Sequence, residues 1–178
     1  MKRMNVCCVV LMLGCFCFSG CASLKVENMV TDRTSLGVQH SATVALNAEG
    51  GSPGVQWFSG TISAKAFGDA VKMSLEKSAL FKGLVDEATA DYELNVVLTY
   101  AGSHPGFTMH AWVTAKWDLV ERASGENAWS AEIKGDGSAS VGEAFSGAAR
   151  QYMALERGAK ANIEDALSQM GKLRLKGR

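Results

Sequence analysis

The 178-residue sequence predicts an α+β fold: a three- to four-stranded, mainly antiparallel sheet packed by two helices in the order β-α-β-β-β-α. Three observations carry this prediction. Between residues 92 and 134, apolar and polar side chains alternate in three runs, the period of a half-buried strand. Residues 63–80 and 142–170 instead place apolar side chains three and four apart, as a helix with one buried face requires. Hydrophobic residues make up 47% of a chain of single-domain length, which excludes a disordered polymer.

Taken in order, Thr43–Asn47 is the first strand, and the Gly- and Pro-rich stretch from Glu49 to Gly54 is a loop. Val55–Phe58 reads as a brief strand or an aromatic loop tip. Ser63 stands where a helix N-cap belongs, before a stripe of Ala64, Phe67, Val71, Leu75 and Ala79. Asp69, Lys72, Glu76 and Lys77 form the solvated side of that helix, and Lys82-Gly83 its stop. Tyr92, Leu94, Val96, Leu98 and Tyr100 then share one strand face, up to a turn at Gly102–Gly106. In the next strand Phe107, Met109, Ala111, Val113, Ala115, Trp117 and Leu119 face the core, with His110, Trp112 and Lys116 among those opposite. A turn at 123–127 leads to Trp129, Ala131 and Ile133, and Gly135–Val141 reads as a loop. The last helix carries Phe145, Ala148, Ala149, Tyr152, Ala159, Ile163, Ala166, Leu167 and Met170 on its stripe. Gly158 in that helix marks a close approach or a slight bend. One face of the sheet is expected under the helices and the other in water.

The amino terminus reads as a processing signal. Lys2 and Arg3 precede an uncharged, largely apolar run from Val6 to Phe18, too short to cross a bilayer as a helix. Phe18-Ser19-Gly20-Cys21 follows. It resembles the lipobox of bacterial lipoproteins, in which small side chains open the bond to a peptidase and a thiol receives the lipid. The resemblance implies cleavage between Gly20 and Cys21 and a diacylglycerol and N-acyl chain on Cys21. No other cofactor is expected. Acyl chains hold a protein on a membrane without spanning it. Ala22 after the cysteine, rather than Asp, implies sorting to the outer membrane, on its periplasmic face. The organisation expected is a signal at 1–20, a polar tether at 21–40, one domain at 41–171 and a basic tail at 172–178.

Cleavage changes the composition. All five cysteines lie in the first 21 residues, so the mature chain keeps one, already committed to lipid. Disulfides within the chain, thiolate nucleophiles and cysteine metal sites are thereby excluded. Loss of Lys2 and Arg3 also leaves 16 basic against 18 acidic residues.

Two stretches resemble small Gram-negative lipoproteins, a group that includes ABC-transport auxiliary and envelope-assembly lipoproteins. One runs from Phe67 through Ala70-Val71, Ser74-Leu75, Ser78 and Leu80-Phe81 to Asp91-Tyr92-x-Leu94. The other is Trp117-x-Leu119-x-x-Arg122-x-Ser124-Gly125-x-x-x-Trp129. The resemblance implies a non-catalytic accessory module with an envelope protein as partner.

Catalytic and metal-binding residues are not expected. His40, His104 and His110 lack metal-motif spacing, and the acidic cluster Asp86, Glu87, Asp91 and Glu93 lacks the ligand order of a calcium loop. No serine lies in a nucleophile-elbow context. Nucleic acid is an unsuitable partner for a chain of zero net charge whose body is acidic. Candidate contacts to a partner or lipid are Trp57 and Phe58 beside the Gly-rich loop and Trp112 on a polar strand face. The basic tail adds Lys172, Arg174, Lys176 and Arg178. As an alternative function, a carrier would shield a lipid between sheet and helices, in a cavity lined by Phe67, Leu75, Val96 and Val113.

Overall fold

Alternating side chains build three long strands: β3 (Tyr92–His104), β4 (Thr108–Glu121) and β5 (Asn127–Ser140), each antiparallel to the next. The computed structural model describes residues 23–34, 39–50 and 62–177, and within them the fold is α+β. Two further strands, β1 (His40–Gly50) and β2 (Phe81–Leu84), make the sheet five-stranded and mixed, in the order β2-β1-β3-β4-β5. The expected three or four strands therefore fall short. β1 is parallel to both β2 and β3, which lie on its two edges. Helix α1 (Ala64–Ser78) supplies the crossover that parallel neighbours need. From β2 the chain crosses β1, and Asp91 ties the crossing down by accepting from Thr43 N at 2.8 Å and Thr43 Oγ1 at 2.9 Å.

Ser63 caps α1 as expected, accepting from Ala66 N at 3.1 Å. Phe67, Val71 and Leu75 are buried, but Ala79 is not. It ends the helix in the left-handed region at φ 48°, and Lys82-Gly83 then belongs to β2 rather than to a helix stop. Register also departs from simple alternation. It slips between Leu98 and Tyr100, so Tyr100 pairs with Thr114 and turns to the open face, away from Leu98.

Helix α2 (Gly147–Met170) lies across β4 and β5 at backbone distance. A Cβ added to Gly135 would stand 2.0 Å from Gly158 O, and one on Gly137 2.0 Å from Ala154 O. These glycines, read from sequence as a loop, are strand residues that make room for a helix. Gly158 marks the close approach. Asn162 locks the seam: its Nδ2 donates to Val113 O at 3.1 Å and Ile133 O at 2.6 Å, and its Oδ1 accepts from Trp117 Nε1 at 3.1 Å. Phe67 meets Trp117 edge-on at 6.2 Å between ring centres. Phe67, Leu75, Val96 and Val113, proposed above as the walls of a ligand cavity, are packed core with exposures of 4% or less.

Both polar ends include stretches that pack on the domain. The segment from Lys25 to Asp32 is folded onto the helices rather than free as a tether, with a short 3-10 turn at Val26–Met29. Met29 is fully buried, and Thr31 N donates to Ser74 Oγ on α1 at 3.1 Å. In the tail, Leu173 and Leu175 pack against the core and Gly177 N reaches Ser41 Oγ at 3.3 Å. Lys172, Arg174 and Lys176 point outward between them.

Candidate functional site

The far end of the β3–β4 hairpin meets the connection from β5 to α2. Val141 N donates to Phe107 O at 3.1 Å, tying the two loops together. Arg150, in the first turn of α2, donates through Nη1 to Ala144 O at 3.0 Å and Phe145 O at 2.9 Å. Ser146 is the N-cap of that helix. Glu143 completes the clamp, accepting from Ser140 N at 2.9 Å and from Arg157 Nη2 at 2.6 Å. The Arg157 guanidinium, followed by the Ser140 N–H and hydroxyl, lowers the Glu143 carboxyl to about 2.

Between these loops opens a cleft of about 330 Å³, with Ser103, Pro105 and Met109 on the hairpin side and Ala148, Arg150 and Gln151 on the helix side. Gln151 is buried, yet its Nε2 has no hydrogen-bond partner among the described residues, and neither has Arg150 Nε. Phe107 stands 90% exposed and Phe145 93% exposed at the rim. Alternation places Phe107 on the core face of a strand, and helical spacing places Phe145 on a buried stripe. Both readings fail for one reason: β4 begins at Thr108 and α2 at Gly147, so each ring sits just outside the element. Ala148 is likewise exposed, and the buried face of the first two turns carries Gln151, Ala154 and Leu155. The usable signal was position, because each phenylalanine is flanked by turn or cap residues.

The sequence-based candidates do not converge there. Trp112 lies on the open face of the sheet, half-buried, with His104 edge-on at 5.3 Å and Lys134 Nζ 5.3 Å from its ring. Lys172, Arg174 and Lys176 follow the other end of α2, where His40 Nε2 meets Met170 O at 3.0 Å. Gly20, Cys21, Trp57, Phe58 and Arg178 lie outside the described residues. In the acidic cluster, Arg122 bridges Glu87 and Glu93, both at 2.8 Å. Among the described residues no three His, Cys, Asp or Glu side chains are grouped to hold a metal ion. No helix among them is long and apolar enough to cross a membrane.

Comparison with solved structures places the chain in a recurrent α+β fold found in several Gram-negative bacteria. Protein XCC0632 of Xanthomonas campestris, of the family DUF330, matches with a TM-score of 0.58 at 14% identity, over 85% of this chain and 94% of that one. PelC of Paraburkholderia phytofirmans, a dodecamer, matches with 0.52 at 12% identity, over 79% and 92%. A candidate lipoprotein of Caulobacter crescentus matches with 0.51 at 11% identity, over 72% and 87%. At these identities the likeness is one of fold. No family model and no curated protein sequence matches the chain.

Proposed function

We propose that the chain is an outer-membrane lipoprotein, held by acylated Cys21 and facing the periplasm, that serves as a non-catalytic binding subunit of an envelope transport or assembly complex. One observation carries the reading: Lys2-Arg3, an apolar run and Phe18-Ser19-Gly20-Cys21 occur in the order that lipoprotein processing requires. Residues 1–20 are then removed, and the domain hangs from a lipidated terminus. A shared fold with a candidate lipoprotein supports the class, and a shared fold with the dodecameric PelC supports a module that works by contact with other chains.

The test begins with Cys21→Ser. The native chain is expected in the membrane fraction with the mass of its acyl chains, and the variant unacylated and released. A variant that keeps both mass and location overturns the reading. Crosslinking in intact envelopes followed by mass spectrometry should recover a recurrent protein partner, whereas recovery of a bound lipid alone would instead support a carrier.

A further inference from the structure

We infer that the hairpin end of the domain is a membrane-docking face, with the Phe107 and Phe145 rings seated in the headgroup boundary of the bilayer that holds the anchor. The inference rests on the anchor reading of Cys21. Two observations on the folded domain carry it further.

The first is exposure on a fixed frame. Phe107 and Phe145 are the two most exposed large apolar side chains among the described residues, at 90% and 93%. Their backbones are held, one carbonyl by Val141 N and the other by Arg150. Bare aromatic rings presented together by a braced loop pair mark a contact surface. Phenylalanine, like Trp and Leu, is a side chain that membrane-surface segments bury at the boundary between headgroup and acyl chain.

The second is where the chain leaves the structure. Glu156 on α2 accepts from Lys25 N at 2.6 Å and from Asn28 Nδ2 at 2.7 Å. Further along the helix, Glu164 accepts from Thr31 Oγ1 at 3.0 Å and Asp32 N at 3.2 Å. The segment therefore runs from Lys25 towards the C-terminus of α2. Read backwards, it points to the N-terminus of α2, the end that carries Phe145. Glu156 lies about 13.5 Å along the helix from Gly147, at 1.5 Å per residue. The four residues from Lys25 back to Cys21 span at most about 14 Å. A long free tether would leave the domain's orientation open. Here the strap is folded back to Leu24, which packs against the core, so that a lipid on Cys21 lies within that reach, level with the phenylalanine rim at most. The occupant this geometry selects is the bilayer itself.

The cysteine inventory supplies the experiment. With Cys21 blocked by lipid, Phe107→Cys and Phe145→Cys each give the acylated chain a single free thiol for a nitroxide. Lys77→Cys, on the last turn of α1 at the opposite end, gives the control. In vesicles of phosphatidylethanolamine and phosphatidylglycerol, the ratio of oxygen to nickel-chelate accessibility should be several-fold higher at 107 and 145 than at 77. All three sites reading as aqueous, on a chain that floats with the vesicles and carries its acyl mass, would leave the anchor standing and overturn the docking face. Dipolar broadening between labels at 107 or 145 would identify a second copy as the occupant and also overturn it. A chain without acyl mass that fails to float would overturn the anchor and the docking face together.

Discussion

Two buried amides lie eleven residues apart on α2 and meet opposite fates. Asn162 is fully enclosed and makes three hydrogen bonds, to the carbonyls of Val113 and Ile133 and from the Trp117 indole. Gln151 is nearly as enclosed, at 7% exposure, and its amide nitrogen has no partner among the described residues. The first sits where glycines let helix and strand backbones touch, and the second lines a cleft between two loops. One helix thus joins a finished seam to an unfinished rim. The seam amide is fully used by the fold, whereas the rim presents apolar rings and side-chain donors that have no partner among the described residues.

Gly137→Val probes the seam with the largest expected effect. The new Cβ would lie 2.0 Å from Ala154 O, a backbone atom that moves only with the helix. Destabilisation of about 4 kcal/mol or more is expected, read as a fall in the urea midpoint. A cost below about 1 kcal/mol would mean that the helix shifts freely and that the seam is no tighter than the rim.

Asn162→Leu comes next. It keeps the approximate volume but strands the Trp117 N–H and removes the bonds to the Val113 and Ile133 carbonyls, at about 3 kcal/mol in total. Gln151→Met sharpens the contrast by its sign. Removing a buried donor that has no partner, in favour of an apolar chain of similar length, should stabilise the domain by about 1 kcal/mol. A loss of stability equal to that of Asn162→Leu would show that the two amides are equivalent after all.

The same contrast explains what could be read from the sequence. Alternation located β3 and β4, and helical spacing located α1 and most of α2, because each of these buries one regular face. β2 was invisible: four residues carry no period, and its role as a parallel partner of β1 is set by tertiary pairing. Gly135 and Gly137 looked like a loop because a glycine that admits a helix and a glycine that makes a turn are the same letter. The N-terminal strap was hidden by polar composition, although Val26, Met29 and Val30 already have the spacing of a turn with one apolar side. At the rim the error was the reverse. Phe107 and Phe145 continue a regular pattern one or two residues past the element that produced it, and only the cap positions decide that they face solvent.

The smallest effect is expected from pH, and it falls on the rim. The Glu143 carboxyl is lowered from 4.5 to about 2, first by Arg157 and then by the Ser140 N–H and hydroxyl. A folded-state value below the unfolded one means that this clamp contributes fully above pH 4.5 and is lost as pH falls from there towards 2. Because the pair is exposed, salt screens it and the global stability curve should barely register its loss. The local readout is the Glu143 carboxyl carbon shift in NMR, with a midpoint near 2 in the native chain. Arg157→Leu should move that midpoint back towards the ordinary glutamate range, while Asn162→Leu, if folded, should leave it in place. A native midpoint at 4 or above would mean that the two loops are not clamped in solution. The phenylalanine rim would then be a mobile edge instead of a braced one, and its difference from the seam would be one of order as well as of packing.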